Sequence, residues 1–428
     1  MTWLRSPLET VDAALESPAA SPLERPEGAG SGGVRRLAVV LMALALAASP
    51  AYVLRPHIGP LPTTALEIVL VPALAVGLYA FRRELPWRSA YLLPALLLLV
   101  AAALDTLLAP DRRAALGLLK AYFVEPMLAG LVVAAMARDR GPAAALLAAL
   151  GVAGSIVAVP NIAVSVQALL THTFNLVTPP AAVYASANSV PLYLEPLVAY
   201  ALPLAFLSED RRLSLPAAGF LVVASAAIAL SFSRAGWLTF IALLLLAALF
   251  TRRRLQVIVL AVGASALVFA GFGGVRRRIL VELNPTSPEN SLMLRLSLWK
   301  SALNLLRHRP LTGGGLAGFK RSVAEFADPA YHEDQIYPHN LLLNFWAETG
   351  LLGLVAFVWL VVQSVRLSLQ GLRRTGWARI MAIGALGMIL SLFVHGLVDI
   401  AYFKNDEALA FWTLLGIQLG SLREPRQG

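Results

Sequence analysis

The sequence predicts an all-α polytopic membrane protein of about 12 transmembrane helices, with one long outer loop that contains an interfacial helix. Hydrophobic residues make up 58% of the chain and charged residues only 14%, a balance unsuited to a water-facing surface. Apolar runs recur from Leu37 onward, each roughly 17 to 25 residues long, enough at 1.5 Å per residue to cross about 30 Å of hydrocarbon. Arginines gather in alternate connections between these runs, the pattern that orients membrane helices.

The elements follow in order. Residues 1–35 are expected to form a disordered cytoplasmic tail, because Pro7, Pro18, Pro22, Pro26 and the Gly-Ser stretch from Gly28 to Gly33 leave no apolar core long enough for a signal peptide. Nine spans are expected across 36–274, at 36–54, 62–81, 89–108, 114–136, 143–170, 190–207, 215–232, 234–250 and 255–274. Pro160 predicts a tilt or break in the fifth. Ser233 alone separates the seventh from the eighth, so 231–234 must turn tightly. An extracytoplasmic loop covers 275–340, three more spans (341–365, 379–398 and 407–422) cross 341–422, and 423–428 is a short cytoplasmic tail. With the N terminus inside, inner segments hold 20 arginines, whereas the short outer connections hold only Arg55, Arg112, Arg113, Arg234 and Lys404. Both termini are therefore expected in the cytoplasm and the long loop outside.

Within that loop, Asn290 or Ser291 is placed to cap a helix reaching about Arg307, with Leu292, Leu296, Trp299, Leu303 and Leu306 at three- and four-residue steps. Such a helix is expected to lie on the outer membrane surface. Pro310 stops it, and Gly313, Gly314, Gly315 and Gly318 make a turn-rich connector.

Several chemistries lack their residues. The chain contains no cysteine, which excludes disulfides, thiolate metal sites and cysteine nucleophiles. G-x-x-x-x-G-K-[ST], H-E-x-x-H and D-x-D patterns are absent, so ATP hydrolysis, zinc proteolysis and metal-assisted use of a nucleotide sugar have no usual footing. His57, His172, His308, His332 and His395 form no pair at metal-ligand spacing, and neither a metal nor another cofactor is expected. A net charge of +10 would suggest nucleic acid in a soluble protein, but arginines in short loops encode orientation, and no nucleic-acid partner is expected.

Charged side chains within spans cost about 2.5 to 3.5 kcal/mol each on insertion scales, so each needs a reason. They are Glu67, Asp105, Lys120, Glu125, Glu195, Glu348 and Asp399. Lys120 and Glu125 read as a polar clamp between helices, Glu348 as bundle packing or a support for an arginine, and Asp105 and Asp399 as interfacial groups. Arg234 opens the eighth span at the outer face, where a positive charge opposes the orientation rule. It either snorkels beside Trp237 or offers its fixed guanidinium fork to an anion such as phosphate. His339, between Pro338 and Asn340 at the loop-to-membrane junction, is either an ordinary hydrogen-bonding residue or a proton acceptor at neutral pH.

Taken together, these elements resemble the O-antigen ligase and O-antigen polymerase superfamily of bacterial envelope glycosyltransferases. The matching pieces are Ser233-Arg234-Ala235-Gly236-Trp237-Leu238, similar to the family's R-x3-L element, and His339-Asn340 with Gly350, similar to its H-[NSQ]-x9-G element. Arg295 through Trp299 to Pro310-Leu311-Thr312-Gly313-Gly314-Gly315 and Phe319 resembles the segment before that histidine, and Asn188 to Glu195 the upstream polar element. The likeness spans roughly 185–405; the first 180 residues resemble the family only in hydropathy. It implies an inner-membrane enzyme that moves a glycan from an undecaprenyl-pyrophosphate carrier to a glycan, lipid or protein acceptor at the outer face, with membrane lipid around it and no metal. Under that likeness His339 and Arg234 are the catalytic candidates, with Arg295, Arg276, Arg277, Arg278, Asn188, Glu195 and Asn340 as substrate-binding candidates. The competing class is a polysaccharide or lipid-carrier transporter, which would place its charges near mid-bilayer at a repeat interface. Here Arg234, the loop arginines and His339 are expected at one face.

Overall fold

The computed structural model describes residues 29–56, 63–176, 178–251, 290–328 and 336–422, with 254, 255, 258, 259, 280, 281 and 284. The described residues are helical, with no strand among them. The helices are α1 (Ala29–Ala47), α2 (Ala65–Phe81), α3 (Leu92–Leu108), α4 (Arg112–Leu118), α5 (Glu125–Met136), α6 (Arg140–Leu170), α7 (Ser189–Leu207), α8 (Arg211–Leu230), α9 (Arg234–Phe250), α10 (Ser291–His308), α11 (Phe319–Val323), α12 (Leu341–Gly371), α13 (Gly376–Gly396) and α14 (Asn405–Leu422). Leu119–Val124 forms a π-helical turn that joins α4 to α5.

Six of these stretches are long and apolar enough to cross a membrane: the α4–α5 unit Arg112–Met136, α6, α7, α8, α12 and α13, with α2, α3 and α9 as shorter apolar helices. The expectation of about 12 spans is therefore supported only in part. The ninth expected span, 255–274, lies almost entirely outside the described residues. The expected tail also ends sooner than 35, since α1 begins at Ala29 and takes in part of the Gly-Ser stretch. Pro160 does not break α6, which runs through it for 31 residues. The turn after α8 is as tight as expected: Phe232 takes a left-handed φ of 52° and α9 starts at Arg234.

α7 and α14 form the centre and are buried along nearly their whole length. α14 crosses α5 so closely that a Cβ on Gly416 would meet the Gly130 carbonyl oxygen at 2.5 Å; small residues permit such crossings where no water drives helices together. Between α14 and α12, the Gln418 amide accepts from Tyr91 Oη at 2.6 Å and from Ser364 Oγ at 2.8 Å, and donates to Ser368 Oγ at 2.7 Å. The polar node is thereby satisfied without water. α8 lies at the periphery, with Leu215 and Val222 exposed, as befits side chains that meet lipid.

Of the expected Lys120 and Glu125 clamp, the Lys120 half is seen, with the lysine Nζ 2.5 Å from the Glu67 carboxylate on α2. At one end of the bundle, Phe345, Phe357, Tyr402, Phe403 and Phe411 stack on one another with ring centroids from 3.8 to 6.3 Å apart. This aromatic plug roots the 397–404 connection that carries Asp399, and packing of this kind adds about 0.5–1.5 kcal/mol per ring pair.

Candidate functional site

α9 and α10 bring two arginines to one hydroxyl. Ser233 caps α9 by accepting from Gly236 N at 3.3 Å, which fixes Arg234 at the first turn. Asn290 caps α10 by accepting from Leu292 N and Met293 N at 3.0 and 3.1 Å, the capping geometry its position in sequence predicts. Arg234 Nη2 then donates to Ser291 Oγ at 2.7 Å, and Arg295 Nη1 to the same oxygen at 2.8 Å. Two guanidiniums thus converge although 61 residues separate them in the chain. Arg295 also donates from Nε to the Val398 carbonyl at 2.6 Å, which ties α10 to the connection between α13 and α14.

His339 stands across that connection. Its Nδ1 lies 3.0 Å from Asp399 Oδ1, and the same carboxylate oxygen accepts from Ile400 N at 2.9 Å. With the Nδ1 proton donated to Asp399, Nε2 is the lone-pair nitrogen, so the ring is set up as an acceptor. His339 has a left-handed φ of 48°, a conformation disfavoured outside glycine and found disproportionately at functional sites. Burial by itself raises the pKa of Asp399; the hydrogen bond and charge of His339, followed by the charges of His395 and Arg295, outweigh it and hold the carboxyl below its ordinary range. Asp399 is therefore the anion that His339 binds and that the charge of Arg295 also favours.

The neighbouring side chains position this arrangement. Asn340 caps α12 by accepting from Leu343 N at 3.0 Å and donates to the Leu397 carbonyl at 3.0 Å, so its amide holds two segments together. Trp299 Nε1 donates to the His339 carbonyl at 3.4 Å. Glu195, expected to bind substrate, is enclosed with His395, whose Nδ1 is 2.9 and 3.0 Å from the two carboxylate oxygens. It meets another side chain of the bundle instead of the open face. Asn188 is exposed at the start of α7 and makes no side-chain cap. A Cβ on Gly236 would meet Pro191 at 2.8 Å, so the 188–195 stretch and the Arg234 turn pack directly together. Arg276, Arg277 and Arg278 lie outside the described residues.

α12 is kinked at Thr349 and Gly350, and Gly350 has φ 61°. A Cβ there would fall 2.1 Å from the Leu311 carbonyl oxygen. The glycine-rich turn fills the kink: Leu351 N donates to Leu311 O at 3.1 Å and Gly314 N to Ala347 O at 2.8 Å. Glu348 accepts from Ala317 N at 2.5 Å and from Phe319 N at 3.3 Å. Glu348 is buried in the bundle, as the packing expectation has it, and its carboxylate holds the backbone of the turn; the alternative of a support for an arginine is corrected to this backbone clamp. On α10 the buried face is Leu298, Ala302, Leu305 and Leu306, against α11 and α12. Of the expected apolar stripe only Leu306 is on it, while Leu292, Leu296 and Leu303 stay exposed.

Sequence reasoning missed the pairings made after α13. Asp399 read as interfacial and His395 as unremarked, yet they sit one helical turn apart, Asp399 N donating to His395 O at 3.1 Å. Nearby, Lys404 bonds Glu407 at 2.9 Å and lies 5.8 Å from the Tyr184 ring, and Tyr184 Oη donates to Asp406 Oδ2 at 2.5 Å. The density of charge over 395–407 is the signal that was available.

Residues 219–358 match the family model described as O-antigen ligase. The match takes in a third of the 428-residue chain, including Arg234, Ser291, Arg295, His339, Asn340 and the Gly350 kink. It supports the likeness to the O-antigen ligase and polymerase superfamily on the residues that carry it. Asp399, His395 and Glu195, which complete the polar arrangement around the O-antigen ligase segment, lie beyond its limits. No curated protein matches the chain. The chain is an integral membrane protein in which the segment similar to O-antigen ligase brings Arg234 and Arg295 to Ser291, and Arg295 and His339 to neighbouring residues, Val398 and Asp399, of one connection.

Proposed function

We propose that the protein is a membrane glycosyltransferase of the O-antigen ligase or polymerase type, which transfers a glycan from an undecaprenyl-pyrophosphate carrier to an acceptor hydroxyl. The observation that carries the proposal is the convergence of Arg234 and Arg295 on Ser291 beside the His339–Asp399 pair. Arg234 and Arg295 take the pyrophosphate, whose departing oxygen gains negative charge in the transition state, and preorganised guanidiniums offset that charge. The acceptor oxygen forms its bond to the anomeric carbon as the bond to pyrophosphate breaks, and the electron pair leaves on the pyrophosphate. His339 takes the hydroxyl proton at Nε2, and Asp399 orients the ring and balances the imidazolium. A single displacement inverts the anomeric centre. The carrier already provides the leaving group, so the reaction needs neither a nucleotide sugar nor a metal in this scheme. Arg276, Arg277 and Arg278 are proposed to assist at the pyrophosphate.

In the same reading the protein sits in the inner membrane with both termini cytoplasmic and the site on the outer face, where the long loop closes over the headgroup. The acceptor is a lipid core, a second carrier-linked repeat or a protein hydroxyl; the motifs are common to all three. Purified protein given the carrier-linked glycan with each acceptor class in turn is expected to release undecaprenyl pyrophosphate only when one of them is present. Donor movement across a proteoliposome membrane without acceptor-dependent release would support the transporter instead.

A further inference from the structure

Away from His339, the bundle carries a groove of about 790 Å³ between α6, α7 and α8. α8 runs from Arg211 to Leu230 and α9 starts at Arg234, so Arg212 lies at the end of the bundle opposite the Arg234 turn. Along α6 the groove extends from Ala144 to Pro160, about 24 Å at 1.5 Å per residue. That exceeds half the ~30 Å of bilayer hydrocarbon, the depth one leaflet's chains occupy.

The groove wall asks nothing polar of an occupant. The Ser155 hydroxyl inside it already donates to the Gly151 carbonyl at 2.8 Å, and Tyr200 Oη to Leu414 O at 2.9 Å. Gly151 and Gly219 both line it, and a Cβ built on either meets nothing within 4 Å. Two helices thus present glycines to open space, where packing against a neighbouring helix would account for neither.

The end of the groove is different. Arg212 and Trp377 line it, and an adjoining cleft holds Arg140 and Arg379 with Glu209 and Asp210. Asp210 is occupied, since it accepts from Arg212 N at 3.0 Å and lies 3.1 Å from Arg140 Nη2. Arg140 also stacks over Trp377 at 5.6 Å. The exposed Arg212 and Arg379 guanidiniums make no hydrogen bond or ion pair among the described residues. An apolar channel at least one leaflet deep that ends at the unpaired Arg212 guanidinium and Trp377, with the unpaired Arg379 in the cleft that adjoins it at Trp377, matches a phosphate on an acyl chain.

We propose that this groove is a binding site for an anionic glycerophospholipid of the leaflet on the side away from His339. One acyl chain lies along Gly151 and Gly219, and the phosphate meets Arg212 and Arg379. Because hydrocarbon gains little by leaving lipid for an apolar groove, the arginines set the choice of lipid.

The test uses the full chain purified in detergent and offered equal amounts of phosphatidylglycerol and phosphatidylcholine, with bound lipid counted by native mass spectrometry. Wild type is expected to retain phosphatidylglycerol about thirtyfold over phosphatidylcholine, the ratio that follows for the two arginines from ~1 kcal/mol per basic residue near a charged surface. Arg212→Gln with Arg379→Gln should bring that preference close to parity while the protein remains folded, since neither side chain has a partner to lose. Gly151→Leu and Gly219→Leu, on separate helices, should each fill the groove and reduce retention of both lipids without lowering the melting temperature in lipid-free detergent. Undiminished phosphatidylglycerol retention by both leucine variants would overturn the site, as would a preference that survives the double arginine change. Displacement of phosphatidylglycerol by an added polyisoprenyl phosphate, or dimers that dissociate only in the leucine variants, would assign the groove to another occupant.

Discussion

At the Arg234 turn a charge alone and a fixed fork make different predictions. Arg234 already presents one guanidinium nitrogen to Ser291 beside Arg295, a geometry that lysine cannot copy because its ammonium is a point charge on a flexible stem. Arg234→Lys is expected to lose most of the rate of carrier-pyrophosphate release, with Arg234→Ala at or below it and both folded; equal turnover by wild type and the lysine variant would return Arg234 to snorkelling. Asp399 carries a pH prediction of definite sign. Its carboxyl is held below the ordinary range in the fold, so its contribution to stability is fully present above the unfolded value of about 3.9 and is lost as pH falls through the folded one. Melting of the wild type should therefore decline on acidification below about pH 4 more steeply than that of Asp399→Asn, and parallel declines would contradict the pairing. Arg234 stood out in the sequence as a cation on the wrong face, and His339 through its place at the loop-to-membrane junction and the H-[NSQ]-x9-G likeness. Asp399 did not, because its significance is a contact across 60 residues.

The elements near the site were legible where local chemistry fixes them. Asn290 announces the start of α10, Pro310 its end, and the glycines their turn, since caps and breakers act within a few residues. The seating of that turn in the kink of α12 was not legible, because it depends on Gly350, Glu348 and Ala317 meeting across the fold. Gly350→Ala should be strongly destabilising: it puts alanine at φ 61° and a Cβ 2.1 Å from the Leu311 oxygen, and a thermal midpoint near wild type would show that the kink is not required. α12 and α14 share a second dependence at Gln418. Gln418→Leu should destabilise by roughly 1–3 kcal/mol for each buried donor left unsatisfied. Tyr91→Phe in the same chain should recover part of that loss by removing one such donor, and additive losses would show that Tyr91 Oη does not rely on the Gln418 amide.

For the whole molecule, composition and hydropathy identified the membrane protein and the order of most of its helices, because burial in lipid is written in every span. The count of spans fared less well, since α2, α3 and α9 are short and α14 carries Asp406, Glu407 and Gln418 inside a fully packed helix. Orientation is still testable on the cysteine-free chain: Ala327→Cys should react with an impermeant thiol reagent added outside intact cells and Gly376→Cys should not, and the reverse pattern would invert the topology. The proposed transfer depends on a histidine that accepts a proton and on two arginines that accept a leaving pyrophosphate. Its most direct test is the rate of undecaprenyl-pyrophosphate release by purified His339→Ala with saturating carrier-linked glycan and acceptor. The expected result is a loss of about 100- to 10,000-fold, the usual worth of a general base, with donor affinity close to wild type and a melting temperature lowered by loss of the Asp399 pairing yet still above the assay temperature; release at near the wild-type rate would contradict the proposed chemistry.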